Sequence, residues 1–172
     1  TLSRETRDSL HEIVRQSAAA RLPTDPLFAK AAEGVLKRAA DARILAAVRS
    51  LAHALAEARA QLPDSAAAGT IVAAASAIQA GVDRGVIARY AALSRPSAAD
   101  LAVAYVTLAD LIASSVPIGA ATESVEQLLR SGAPDTEFAA FRAGIARDIQ
   151  NGSRPEEALR ARLGGMGQRR PK

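Results

Sequence analysis

Apolar residues recur at intervals of three, four or seven along this chain of 172 residues. That spacing places side chains on one face of an α-helix. The clearest stripe runs through Ile44, Val48, Leu51, Leu55 and Leu62. Alanine, which has the highest helix propensity, is frequent throughout. The pattern predicts an all-α fold of about eight or nine helices around a core of Leu, Ile, Val and Ala.

The ends of these helices are predicted from capping residues and glycines. A carboxylate can accept hydrogen bonds from the free amides of a first helical turn. The aspartates placed as N-caps are Asp25, Asp41 and Asp83. Glycine adopts the left-handed backbone conformation that commonly ends a helix. The glycines placed as helix stops are Gly81, Gly132 and Gly152.

A repeat is indicated when the chain is shifted by 38 positions onto itself. The matched pairs are Pro96 with Pro134, Asp110 with Asp148, Ser115 with Ser153 and Pro117 with Pro155. We predict one domain over 1–166, with an N-terminal helix in 1–21 and helical hairpins near 23–62, 63–95, 96–133 and 134–166. The hairpins form either an α-solenoid-like array or a compact bundle. Coincidental spacing of proline in a bundle is the alternative to a repeat.

Two pairs of residues have the spacing of a capping box, in which a serine N-cap is followed by an acidic residue at the third helical position. They are Ser97 with Asp100 and Ser153 with Glu156. We therefore expect helices to begin directly after Ser97 and Ser153.

Asp110 and Asp148 lie near the predicted C-termini of their helices, where the helix dipole disfavours negative charge. We expect each carboxylate to accept hydrogen bonds from the next turn or helix start, and so to lock the hairpin. The residues of those turns are Ser115, Pro117, Ser153 and Pro155. A catalytic carboxylate pair is the alternative, but equivalent positions of successive repeats should lie too far apart to share a proton.

The middle of the chain is unusually poor in charge. No charged residue occurs from Ser65 to Val82, although the many alanines and polar residues favour a buried helix over a membrane span. The helix predicted after Ser97 has one face with Tyr105 and Leu108 and another with Val103 and Val106. Two apolar faces predict a central position between neighbouring helices.

The net charge of +4 comes from the end of the chain. Five basic residues follow Leu159 without any acidic residue, and the rest of the chain is nearly balanced. They are Arg160, Arg162, Arg169, Arg170 and Lys172. This basic segment, which ends in a tail at 167–172, is predicted to contact a partner or an anionic lipid surface. Nucleic acid is disfavoured because aromatic platforms and a basic face on the body are lacking.

Candidate catalytic residues are sparse. The chain has no cysteine, so thiolate catalysis and thiolate metal sites are excluded. In the run from His11 to Arg15, the position of the second histidine of a zinc-protease motif is taken by an arginine, which cannot bind zinc. An enzyme would need Asp110, Asp148, Glu123 or His53 to converge in one cleft. We therefore predict no catalytic residues, metal site or cofactor.

The segment from Leu22 to Lys37, the segment from Arg43 to Arg49, the Val116-Pro117 turn and the stretch from Asp148 to Pro155 together resemble uncharacterised exported helical proteins of GC-rich bacteria. The resemblance implies an envelope location and no particular chemistry. A first residue other than Met is what a cleaved signal peptide would leave. We expect a periplasmic or otherwise exported protein, with a cytoplasmic one as the alternative.

These observations favour a non-enzymatic helical scaffold that binds another protein, such as an extrinsic accessory subunit of a respiratory or photosynthetic membrane complex. A binder of small apolar ligands is the second hypothesis and requires an enclosed pocket between alanine-lined helices. An enzyme with a carboxylate-based site is the third.

Overall fold

A computed structural model describes residues 2–94 and 100–167. Its regular structure is entirely helical in these residues, which confirms the predicted all-α fold. The helices are α1 (Arg4–Ala19), α2 (Asp25–Leu36), α3 (Asp41–Gln61), α4 (Ala68–Gln79), α5 (Arg84–Leu93), α6 (Leu101–Ala113), α7 (Ile118–Ser131), α8 (Asp135–Gln150) and α9 (Pro155–Gly167). The stripe predicted from Ile44 to Leu62 is buried along α3 and the following turn.

Most helices pack in two rows that follow chain order. The odd row joins α1 to α3, α3 to α5 and α5 to α7, and the even row joins α4 to α6 and α6 to α8. Contacts between consecutive helices, such as α2 with α3 and α6 with α7, connect the rows. Partners in all the extensive contacts are one or two places apart along the chain, an arrangement typical of stacked helical arrays.

One predicted hairpin is not formed by its own two helices. α4 and α5, which fill the segment 63–95, are not among the helix pairs with extensive contact. α4 instead packs on α3 and α6, and buries Ile71, Ala73, Ala74 and Ala77. Small side chains on several sides of a helix allow close approach by more than one neighbour. The alanines therefore favour a central position for α4 over pairing with α5.

In the described part of the chain, six helices end in the same hydrogen-bonded turn, known as the Schellman motif. A residue with positive φ donates its N–H to the carbonyl three residues back, and the next residue donates to the carbonyl five residues back. Three of the positive-φ residues are the predicted glycines Gly81, Gly132 and Gly152. The other three are Arg21, Arg38 and Ser115.

The predicted pairing of the two C-terminal units is wrong by one residue. Ser115 has positive φ at the end of α6, but Gly152, not Ser153, has it at the end of α8. Pro117 precedes the first residue of α7, whereas Pro155 is the first residue of α9. The turns therefore correspond at a spacing of 37 positions, from Ser115 to Gly152, because hydrogen bonding rather than residue type defines the turn.

Neither Asp100 nor Glu156 takes the third helical position that its predicted capping box requires. Asp100 is itself the N-cap of α6, and its carboxylate accepts a hydrogen bond from the N–H of Ala102 at 2.9 Å. Ser97 lies outside the described residues. The N–H of Ser153 donates to the carbonyl of Asp148 in the turn that ends α8, and α9 begins only at Pro155. Ser153 therefore belongs to the preceding helix end.

Of the three predicted aspartate N-caps, Asp83 is confirmed, because its carboxylate accepts a hydrogen bond from the N–H of Gly85 at 2.7 Å. Asp25 and Asp41 are instead the first residues of their helices. The carboxylate of Asp41 accepts hydrogen bonds from the N–H of Ser3 and the hydroxyl of Thr6. It thereby ties the start of α1 to the start of α3.

Candidate functional site

The odd row has a charged surface on which ion pairs link neighbouring helices. Arg84 on α5 lies 3.5 Å from Glu57 on α3, and Arg89 on α5 lies 2.9 Å from Glu126 on α7. Hydrogen bonds from Arg130 and then Arg89 lower the pKa of the Glu126 carboxyl. The arginines of both pairs are exposed, so this charged surface is in contact with water.

α4 and α6, the first two helices of the even row, have a surface of a different kind. α4 has no charged residue, and α6 has only Asp110. Among the residues of these two adjacent helices that are exposed or half-buried, we group five small or apolar ones under the name central strip. Its residues are Gly69, Val72, Ser76, Val103 and Val106.

The low charge of the central strip is not a general feature of the molecule. α5 and α7 are together about as long as α4 and α6. They carry the charged residues Arg84, Arg89, Glu123, Glu126 and Arg130. α5 and α7 are therefore rich in charge, whereas α4 and α6 are nearly devoid of it.

The second apolar face predicted for α6 is less covered than expected. α6 has extensive contacts with α4, α5, α7 and α8, which agrees with a central position. Nevertheless, Val106 keeps 38% of its surface exposed and Val103 is half-buried. The neighbours pack on the face with Tyr105 and Leu108, which are fully buried, and leave the valine face partly open.

Asp110 lies one turn beyond Val106 and forms an ion pair across the even row. Its Oδ2 accepts a hydrogen bond from Arg142 of α8 at 2.7 Å. The prediction that this carboxylate accepts hydrogen bonds from the turn with Ser115 and Pro117 is therefore wrong. Its hydrogen-bond partner is a side chain 32 residues further along the chain.

Asp148 also binds an arginine of another helix. Its two carboxylate oxygens accept hydrogen bonds from Nε and one terminal nitrogen of Arg162, at 2.7 and 2.6 Å. The guanidinium lies over Gly144, where an added Cβ would come within 2.9 Å of it. These hydrogen bonds lower the pKa of Asp148. Asp148 thus ties α8 to α9 through Arg162 instead of through Ser153 or Pro155.

The predicted basic contact segment is only partly available. Arg162 is committed to Asp148, which removes it from the side chains that could meet an anionic surface. Arg160 is exposed and lies 3.4 Å from Glu156 in the same helix. Arg169, Arg170 and Lys172 lie outside the described residues.

The four residues considered for catalysis have separate surroundings. His53 is 75% exposed and lies 3.7 Å from Glu57 on the same helix. Glu123 lines a groove with Glu156 and Arg160, away from the arginine-bound Asp110 and Asp148. Among the described residues, no three His, Cys, Asp or Glu side chains are grouped so that they could hold a metal ion.

Two surface grooves have the volume of small-molecule sites but are neither enclosed nor apolar. One of about 470 Å³ lies between α2 and α3 and is lined by Lys30, Glu33, Lys37 and Arg43. Glu33 accepts hydrogen bonds from Lys30 and Lys37, which lower its pKa to about 2. The other, of about 370 Å³, lies between α7 and α9. Both grooves are open and partly charged, whereas small apolar ligands favour enclosed apolar pockets.

Comparisons of the chain with protein-family models, with curated proteins and with solved structures gave no match. In the part of the chain that the structure describes, no helix is both long enough and apolar enough to cross a membrane.

Proposed function

We propose that this chain is a non-enzymatic helical scaffold that binds another protein through the central strip. The observation that carries the proposal is the contrast in charge between α4 and α6 and the neighbouring helices of the odd row. The cores of protein–protein interfaces are depleted of charged residues, whereas solvated surfaces are rich in them. The partly exposed valines of the central strip, on the adjacent helices α4 and α6, resemble the charge-poor core of such an interface.

The composition of the strip favours a partner that packs closely. Gly69 and Ser76 are small and exposed about one turn on either side of Val72, so a partner helix can approach the backbone of α4 there. Complete burial of a valine side chain is worth about 1.5 kcal/mol or more. The pair of Asp110 and Arg142 lies one turn from Val106 and gives the strip a polar edge.

The setting we propose is that of an accessory subunit attached to a larger assembly of the bacterial envelope. The resemblance to exported helical proteins supports the envelope, and the array of stacked helices supports an adaptor role. We propose a respiratory or photosynthetic complex as the type of assembly.

The test compares two variants that place a new carboxylate on opposite rows. Val106→Glu puts it in the central strip, and Ser50→Glu puts it on the exposed side of α3. Purified wild-type protein and both variants are immobilised and exposed to an envelope extract of the native cells, and the retained proteins are quantified. A matched thermal melt verifies that each variant is folded.

We expect at least one protein to be retained by the wild type and by Ser50→Glu, and to bind Val106→Glu at least about tenfold more weakly. An unpaired carboxylate buried in an interface costs more than the about 1.4 kcal/mol that this factor represents. Equal retention by all three proteins, or no retained partner at all, would refute the proposal.

A further inference from the structure

The open groove between α2 and α3, which we call the α2–α3 groove, is lined by more basic residues than acidic ones. Its charged residues are Lys30, Glu33, Lys37, Arg38 and Arg43. Hydrogen bonds from Lys30 and then Lys37 lower the pKa of the Glu33 carboxyl to about 2, so this carboxylate is ionised at physiological pH. Four cations thus share one anion, and the groove has an excess of positive charge.

The two arginines of the groove differ from its lysines in their partners. In the described part of the chain, Lys30 and Lys37 form ion pairs, whereas Arg38 and Arg43 form none. Both arginines are exposed. A planar guanidinium can donate two parallel hydrogen bonds to the oxygens of a phosphate group. Arg38 and Arg43 are therefore the residues of the groove best suited to hold a phosphate.

The backbone at the start of α3 adds to the positive potential of the groove. Arg38 precedes α3, and Arg43 lies in its first turn. The N-cap Ala40 lines the groove and has no side chain that could accept hydrogen bonds from the first amides of the helix. Asp41, the acidic residue of this turn, has its carboxylate bound at the start of α1. The carbonyls at the end of α2 accept hydrogen bonds within the turn that follows.

The rest of the groove is uncharged and has room for more than a phosphate ion. Its volume of about 470 Å³ lies in the range of small-molecule sites. The uncharged residues that line it are Gly34, Ala39, Ala40, Ile44 and Ala47. Small and apolar side chains of this kind can pack against the organic part of a ligand whose phosphate lies on the arginines. The groove thus fits an organic phosphate.

We infer that the α2–α3 groove binds the phosphate group of an organic phosphate, and that Arg38 and Arg43 hold this group. A soluble phosphate ester and the headgroup of an anionic phospholipid offer the same chemistry. The site lies on α2 and α3, outside the central strip, and does not depend on the protein-binding proposal. It places anion binding on these helices rather than at the basic end of the chain, where Arg162 is bound to Asp148.

Titration of the full chain with phenyl phosphate, followed by NMR chemical shifts of the backbone amides, tests this inference. We expect a dissociation constant of about 1 mM or below. Arg43→Gln should weaken binding about tenfold, because charge-assisted hydrogen bonds are lost. Arg38→Gly should weaken it similarly. Glycine adopts the positive φ of this position without strain, so this variant removes the guanidinium and keeps the turn.

The matched control is Arg49→Gln, because Arg49 is also exposed on α3 but does not line the groove. It should bind phenyl phosphate like the wild type. Glu33→Gln is a test in the opposite direction. It removes the one carboxylate of the groove and releases Lys30 and Lys37, so it should strengthen binding severalfold. Thermal melts verify that each variant is folded, and weaker binding by Glu33→Gln would contradict the assignment.

Vesicles distinguish the two sources of the phosphate. The protein is sedimented with vesicles of phosphatidylcholine, with and without phosphatidic acid. Sedimentation that requires phosphatidic acid and is lost in Arg43→Gln assigns the site to a lipid headgroup. Binding of phenyl phosphate without such sedimentation assigns it to a soluble ester. Binding of neither probe, or an affinity that Arg43→Gln and Arg38→Gly reduce no more than Arg49→Gln does, would overturn the inference.

Discussion

The rings of Tyr90 and Tyr105 stack in the core with centroids 5.9 Å apart and an interplanar angle of 11°. The hydroxyl of Tyr90 on α5 donates to the carbonyl of Thr122 on α7 at 2.6 Å. The hydroxyl of Tyr105 on α6 donates to the carbonyl of Ile87 on α5 at 2.7 Å. Burial raises the pKa of both phenols, so both remain donors at physiological pH. The pair thereby links α5, α6 and α7, and α6 carries two residues of the central strip.

Removal of one hydroxyl should therefore cost stability without loss of the fold. We expect Tyr90→Phe to lower the free energy of unfolding by about 1 kcal/mol, since one buried hydrogen bond is lost. Tyr90→Leu should cost about 2 kcal/mol or more, because the aromatic stacking is lost as well. Urea denaturation monitored by circular dichroism measures both. Equal losses for the two variants would contradict a separate contribution of the stacked rings.

The left-handed residues at the helix ends give a second prediction. Ser115 has φ of +65° without being glycine, a conformation that costs an L-residue about 1 kcal/mol. Ser115→Gly should therefore stabilise the protein by up to about 1 kcal/mol, less the greater entropy of glycine in the unfolded chain. Gly132→Ala, at the corresponding position of α7, should destabilise it by a similar amount. Thermal unfolding is the measurement, and destabilisation by Ser115→Gly would contradict the account of this turn.

Two helical glycines differ in what surrounds them. A Cβ on Gly34 would lie 2.6 Å from Cγ1 of the buried Ile44, whereas a Cβ on Gly69 would meet no atom within 4 Å. Gly34→Ala should therefore force α2 and α3 apart at a cost of about 1–3 kcal/mol, partly offset by the higher helix propensity of alanine. Gly69→Ala should be neutral or slightly stabilising. Similar unfolding midpoints for the two variants would argue against this packing.

The ion pair of Asp148 and Arg162 predicts a specific dependence of stability on pH. Folding lowers the pKa of Asp148 below its ordinary value of 3.8. A lowered carboxyl pKa adds stability that is complete above the unfolded value and is lost as the pH falls through the folded one. Wild-type protein should thus lose more stability than Asp148→Asn below about pH 4. Arg162→Gln should reduce the dependence of stability on pH in the same way. Denaturation at several pH values measures the free energy of unfolding of all three proteins. Parallel curves of this free energy against pH would contradict a role for the ion pair.

The sequence predicts helix ends only where a residue type favours one backbone conformation. Gly81, Gly132 and Gly152 are correctly predicted because glycine adopts positive φ without steric cost. Arg38 and Ser115 end their helices in the same turn, but their side chains carry no such signal. At these positions residue type alone therefore does not predict the helix end.

The spacing of residues along the sequence likewise does not predict which helix a side chain will contact. Asp110 and Asp148 were matched by a shift of 38 positions, but their helix ends correspond at a spacing of 37. One residue changes the direction of a helical side chain by about 100°, so one carboxylate meets α8 and the other meets α9. The two apolar faces of α6 predict that neighbouring helices cover Val106. In the structure α4 and α8 pack on α6 but leave Val106 38% exposed.

The most direct test of the central claim is site-specific photo-crosslinking in the native cells. A photoreactive amino acid is placed at Val106 in the central strip or at Ser50 on α3, and the cross-linked products are identified by mass spectrometry. We predict that Val106 yields one dominant adduct with a single other protein, and that Ser50 does not yield it. The same adducts from both positions, or none from Val106, would contradict a protein-binding surface on α4 and α6.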